Sequence, residues 1–199
     1  MQSSEPTPDR CDVVALAASA GGIHGLATVL GALGAGLPAP VLVVQHLDPR
    51  HRTVIADVLR RRTEMEVKLA EDQERTRPGA VYIAPPDRHL LARPEGLLSL
   101  TDSEPVHFVR PSVDLLFESV AGAYGPRAVA CVLTGTGRDG ATGVSAVKSR
   151  GGTVVVQDPR TAEFSGMPDA AVGTVTVDFV LPLEGIAAVI RELVEGRRQ

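Results

Sequence analysis

The sequence has no tryptophan, and its 199 residues include only four phenylalanines and two tyrosines. Binding to single-stranded nucleic acid draws on stacking aromatics along a basic groove. The basic groove is also missing: 20 Lys and Arg face 24 Asp and Glu, for a formal net charge of -4. The one basic run is Arg60-Arg61-Arg62. Two cysteines, Cys11 and Cys131, cannot build a disulfide framework, and nothing in their use points to an oxidising compartment. No apolar run approaches the roughly 18 residues of a membrane span. The polar start, from Met1 to Pro8, lacks the apolar core of a signal peptide. A soluble cytoplasmic protein that binds no nucleic acid and does not insert in a membrane is expected. His24, His51, His89 and His107 are scattered and form no metal-ligand pattern, so no metal and no cofactor are expected.

What is present is a globular composition, 44% hydrophobic and 22% charged, in a length that suits one domain. Residues 1–11 read as a flexible leader and 12–199 as a single domain. The run Asp12 to Ala17 is short, apolar and β-branched at its start, as in a buried strand, and it ends in Ser19-Ala20-Gly21-Gly22. Ile23, Leu26, Val29, Leu30 and Leu33 then make a helical stripe. A second strand over 41–44 ends at Gln45-His46, and a helix is expected over 51–62. Short strands follow at 67–70, 80–84, 89–92 and 97–100, the last two forming an antiparallel hairpin around Pro94-Glu95-Gly96. A helix over 112–123, a strand over 128–133, a glycine loop and a helix over 141–149 come next. Strands at 154–156 and 175–177 and a helix over 184–195 complete the chain. The alternation predicts an α/β fold: a doubly wound, mostly parallel sheet with helices on both faces and a small antiparallel hairpin insertion.

Ligands of open α/β sheets gather beyond the carboxyl ends of the strands. Three expected strands end near Ser19, near His46 and in Thr134-Gly135-Thr136-Gly137-Arg138-Asp139-Gly140. A hydroxyl, an imidazole and a carboxylate thus reach one edge. A serine hydroxyl is too weakly acidic to attack unaided; it needs an imidazole base, and the base needs a carboxylate to fix its tautomer. Small residues around Ser19 suit a tight nucleophile turn, although Ala17 stands where such elbows have glycine. Taken singly, simpler roles exist: Ser19 as a helix cap, His46 as a packing residue, Asp139 as the N-cap of the helix at 141. Their convergence on one edge favours the joint reading. A rival also stands. Gly135, Gly137 and Gly140 match G-x-G-x-x-G after a strand, with Asp158 placed like a ribose-binding acid, which suggests a dinucleotide-binding oxidoreductase-type domain. The Asp139 carboxylate opposes it, because it would face the pyrophosphate.

The motifs Ala18-Ser19-Ala20-Gly21-Gly22, Gln45-His46, Ile83-Ala84-Pro85-Pro86-Asp87-Arg88-His89, Arg110-Pro111-Ser112-Val113-Asp114, Leu133 to Gly140 and Gly166-Met167-Pro168 occur in that order. Together they resemble the catalytic domain of CheB-type chemotaxis protein-glutamate methylesterases, over about residues 12–195. The resemblance implies a Ser-His-Asp triad of Ser19 as nucleophile, His46 as base and Asp139 as orienting carboxylate. It implies hydrolysis of glutamate γ-methyl esters on methyl-accepting chemotaxis receptors, and deamidation of receptor glutamines. Ala20, Gly21, Arg110, Thr136 and Arg138 are the substrate-binding candidates. The family commonly has Gly and Thr where this chain has Ala17 and Ala20, and Met and Asn where it has Thr136 and Arg138. The family's usual N-terminal receiver domain has no counterpart here, so an enzyme uninhibited in cis is expected, with any regulation supplied by a separate protein or by expression.

Overall fold

The computed structural model describes residues 10–46, 53–174 and 177–196. The first strand, β1 (Val13–Ala18), is buried along its whole length at the centre of a seven-stranded sheet. It pairs in parallel with β2 (Val41–Gln45) on one side and with β7 (Ala128–Val132) on the other. Beyond β2 lie β4 (Ala80–Ile83) and β3 (Glu66–Leu69); beyond β7 lie β8 (Thr153–Gln157) and β9 (Phe179–Leu181). Every pairing in this sheet is parallel. The hairpin of β5 (His89–Ala92) and β6 (Leu98–Thr101) forms a separate antiparallel sheet.

Strand alternation sorts the core into two layers. Val14, Leu16 and Ala18 face one layer, with Leu26, Leu30 and Leu33 of α1 (Gly22–Leu33), Ile55 and Leu59 of α2 (Ile55–Arg60), and Ile186 and Ile190 of α6 (Leu183–Glu195). Val13, Ala15 and Ala17 face the other. There they meet Leu116, Phe117 and Val120 of α3 (Val113–Tyr124), Val144 and Val147 of α4 (Ala141–Ser149), Met167 of α5 (Gly166–Val172), and the hairpin. A chain buried on both faces of its strands needs the near-continuous apolar runs seen in β1, β2 and β7. Leu16 is fully buried, and its truncation to alanine would cost about 2–5 kcal/mol.

Three sequence expectations shift. The helix expected at 51–62 is α2, shorter, and residues 51 and 52 lie outside the described residues. Of the strand expected at 175–177, residues 175 and 176 lie outside the described residues and Val177 is in no strand; β9 was not among the expected strands. Helix α5 was not among the expected elements; its Pro168 is tolerated in the first helical turn, where amides lack intrahelical acceptors. Of the expected leader, residues 1–9 lie outside the described residues. Its last residue, Cys11, is buried, and its amide donates to Leu193 O at 2.8 Å.

Helix α1 follows β1 towards β2, whereas α4 follows β7 towards β8 on the opposite side. The strand order therefore reverses between β1 and β7, and a crevice opens beyond their carboxyl ends.

Candidate active site

Ser19 is the first residue after β1. Its amide donates to Thr134 O at 3.0 Å, which ties it to the end of β7, and its carbonyl accepts from Gly22 N at 2.9 Å. The buried Gln45 side chain adds a third restraint: its Nε2 donates to Ser19 O at 2.7 Å and to His46 O at 3.1 Å. The turn needs glycine at position 22, where a Cβ would stand 2.2 Å from Gln45 Oε1. Gly21, at φ 72°, supplies the left-handed residue that turns strand into helix. Ser19 does not cap α1: the cap position is Gly21, with no side-chain cap bond.

His46 follows β2, its amide bound to Ala18 O at 3.1 Å. Its Nε2 lies 2.8 Å from Asp139 Oδ2. Asp139 leaves the glycine loop after β7 and is 5% exposed. The same carboxylate accepts from Val113 N at 2.7 Å, Asp114 N at 3.0 Å and Ser112 Oγ at 3.0 Å. It therefore sits at the N-terminus of α3, where free amides and the helix dipole favour an anion. The simple reading of Asp139 as the N-cap of α4 is corrected: Gly140 holds that position, and Asp139 serves α3. Burial alone would raise the Asp139 carboxyl, but the hydrogen bonds from His46 and from the Val113 and Asp114 amides outweigh it and hold the group below its ordinary value. An ionised carboxylate only accepts, so the proton between the two residues belongs to His46 Nε2. The lone pair of the neutral ring is then on Nδ1.

Ser19, His46 and Asp139 line one cavity of about 480 Å³, together with Thr136, Gly137, Arg138, His107, Phe108 and Val109. Gly135 packs directly on the serine: a Cβ there would lie 2.8 Å from Ser19 Cβ and 2.3 Å from Met167 Sδ. The structure thus joins His46 to Asp139 and sets Ser19 on the same wall. Among the described residues, Ser19 Oγ has no hydrogen-bond partner, His46 included.

The CheB methylesterase family model matches residues 14–190. The chain belongs to the CheB methylesterase family. It is 40% identical to protein-glutamate methylesterase/protein-glutamine glutaminase 1 of Paramagnetospirillum magneticum, over 99% of this chain and 53% of that protein. It is 39% identical to protein-glutamate methylesterase FrzG of Myxococcus xanthus, over 94% of this chain and 56% of that protein. The chain thus spans about half the length of these relatives, but a match from Leptospira interrogans extends over 91% of that protein. The crystal structure of the Thermotoga maritima CheB methylesterase catalytic domain superposes with a TM-score of 0.88 at 37% identity, covering 92% of this chain and 99% of that one.

Within this CheB fold the remaining candidates divide. Thr136 and Arg138 line the Ser19 cavity. Gly21 lines a neighbouring pocket of about 170 Å³ with His24, Glu163 and Glu184, and Ala20 O accepts from Thr134 Oγ1 at 3.2 Å. Arg110 does not line the cavity. Its guanidinium is held by Asp87 Oδ1 at 2.6 Å, Asp102 O at 2.7 Å and Ser103 O at 2.9 Å, which fastens the loop before α3. The dinucleotide alternative fails on two contacts. Gly140 N and Gly143 N, the amides a phosphate would use, donate to Asp114 Oδ1 at 3.0 and 2.7 Å, and Asp158 is paired with Arg160 at 2.6 Å. The sequence reading missed His107, Phe108 and Val109 as cavity residues and Gln45 as the brace between nucleophile and base. Only the adjacency of Gln45 to His46 hinted at the brace.

Proposed function

We propose that this chain is a serine hydrolase that removes methyl groups from glutamate γ-methyl esters of methyl-accepting chemotaxis receptors, and deamidates receptor glutamines by the same route. The observation that carries the reading is the 2.8 Å contact of His46 Nε2 with a buried Asp139, in a cavity that also holds Ser19. The names of the similar proteins support both reactions.

In this reading Asp139 holds the imidazole with Nδ1 unprotonated and facing the serine. Rotation of the small Ser19 side chain brings Oγ to Nδ1; such contacts often tighten only with substrate bound. Ser19 Oγ attacks the ester carbonyl as its proton passes to Nδ1. The Ala20 and Thr136 amides, which have no acceptor among the described residues, are the donors for the oxyanion. Collapse breaks the carbon–oxygen bond to methoxide, which takes the proton from His46 and leaves as methanol. Water, deprotonated by His46, then attacks the acyl-serine and releases glutamate and Ser19. For a glutamine, ammonia leaves in place of methanol. The reaction uses substrate, side chains and water, with no cofactor.

The reading places the enzyme in the cytoplasm. No helix among the described residues is long and apolar enough to cross a membrane. The test is methanol release from a methylated receptor fragment. Wild type should release methanol, and Ser19→Ala should lose nearly all of that rate; equal rates would reject the assignment.

A further inference from the structure

Phe108 stands apart from every other apolar side chain of the described residues. It is 102% exposed, whereas the next most exposed large hydrophobic, Val54, is 61%. It lies on the lip of the Ser19 cavity, at the tip of a turn closed by Val106 N to Val109 O at 3.1 Å and Val109 N to Val106 O at 2.9 Å. Both tip residues have positive φ, His107 at 50° and Phe108 at 66°. That conformation is ordinarily left to Gly, Asn, Asp or His, and a bulky side chain such as Phe108 is strained in it. The turn is anchored from behind: His107 Nε2 is 3.4 Å from Asp114 Oδ2, and Arg110, just beyond the turn, is held by Asp87, Asp102 and Ser103. A fold that maintains a strained backbone and thereby holds a bare phenyl ring beside the reacting atoms calls for a functional explanation.

We propose that Phe108 is a specificity-determining residue that packs against an apolar side chain of the protein substrate next to the residue being hydrolysed. The inference rests on the esterase reading above. A glutamyl ester reaches Ser19 only if the protein surface around it meets the cavity lip, and Phe108 is the apolar feature waiting there. The ring has no polar atom to satisfy, so it gains only by being covered with apolar surface. With two side-chain torsions it loses little freedom on docking, as is usual for aromatic anchors.

The test compares kcat/KM on a methylated chemoreceptor cytoplasmic fragment with kcat/KM on a short peptide carrying glutamate γ-methyl ester flanked by glycines. Phe108→Ala should lower the ratio of the first to the second about tenfold, through KM on the receptor fragment, and Phe108→Leu should recover most of it. Val180→Ala, at the distant sheet edge, should leave the ratio at the wild-type value. A wild-type ratio in Phe108→Ala, or equal losses on both substrates, would overturn the proposal. Binding gives a readout independent of turnover. In a Ser19→Ala background, Phe108→Ala should weaken calorimetric affinity for the receptor fragment about tenfold, and unchanged affinity would also overturn it. Full turnover by Ser19→Ala would instead overturn the esterase reading.

Discussion

Asp139 and Asp114 exchange helices. Asp139 stands just before α4 but accepts hydrogen bonds from the first amides of α3, while Asp114, in the first turn of α3, accepts from Gly140 N and Gly143 N at the start of α4. Both carboxylates are nearly buried, at 5% and 3% exposed. The exchange locks the two helices together beneath the cavity and fixes the oxygen that meets His46.

The exchange makes Asp139→Asn a double lesion. An amide nitrogen at either oxygen position would face a donor, so about 2 kcal/mol of stability should be lost in chemical denaturation. The imidazole would also be released from the tautomer that leaves Nδ1 free, and kcat should fall by about 10⁴, as for the corresponding change in other triads. A variant with wild-type kcat would remove Asp139 from the mechanism.

The two carboxylates should give opposite slopes of stability against pH. Asp139 is held below its ordinary value of 3.8, so its contribution is full above that value and disappears as pH falls through its lowered folded-state value. Asp114 is raised, by burial first, against the Gly143 amide and with the charge of Asp139 adding to the rise. Its contribution is full below 3.8 and is lost as pH climbs through the raised value. Denaturation across the acid range should show Asp139→Asn differing most from wild type above pH 3.8, and Asp114→Asn differing in the opposite sense with pH. Parallel curves for the two variants would contradict the assignment.

Gly135→Ala tests the packing behind the nucleophile. The added methyl would meet Met167 Sδ at 2.3 Å and Ser19 Cβ at 2.8 Å, both too close to keep, so the serine contact must relax as well as the methionine one. A displacement of the serine of about 1 Å corresponds to roughly a hundredfold loss of kcat. Circular dichroism should remain that of the wild type. Wild-type kcat would contradict a close packing of Gly135 on the nucleophile.

The cysteines should be silent towards thiol reagents in the native protein. Burial, with Asp12 adding, pushes the Cys11 thiol up to about 11, and burial pushes Cys131 still higher. Thiolate is the reactive form, so labelling at pH 8 should wait for unfolding. Rapid labelling of native protein would show that Cys11 opens locally.

The parallel core and the edge that carries the chemistry were legible because buried parallel strands leave short apolar runs, and such runs end where ligands bind. Ser19, His46 and Asp139 each follow one of these runs. The partner of Asp139 was not legible, because α3 lies more than twenty residues earlier in the chain and meets α4 only in the folded layer, while local sequence offered α4 first. The β9 strand was not legible because Phe179-Val180-Leu181 is only three residues long, and its pairing with β8 is what marks it as a strand. The His107-Phe108 turn gave no signal, since a two-residue turn of this kind is ordinarily marked by Gly or Asn, and neither is present.

The central claim is that Ser19 and His46 act as one hydrolytic unit, and a double-mutant comparison tests it most directly. The measurement is kcat/KM for methanol release by wild type, Ser19→Ala, His46→Ala and the double variant. Each single change should cost about 10⁴-fold or more, and the double variant should fall no further than the worse single one, because members of such a unit are not additive. A double variant that loses the product of the two single effects, or a Ser19→Ala enzyme that keeps its rate, would contradict the account.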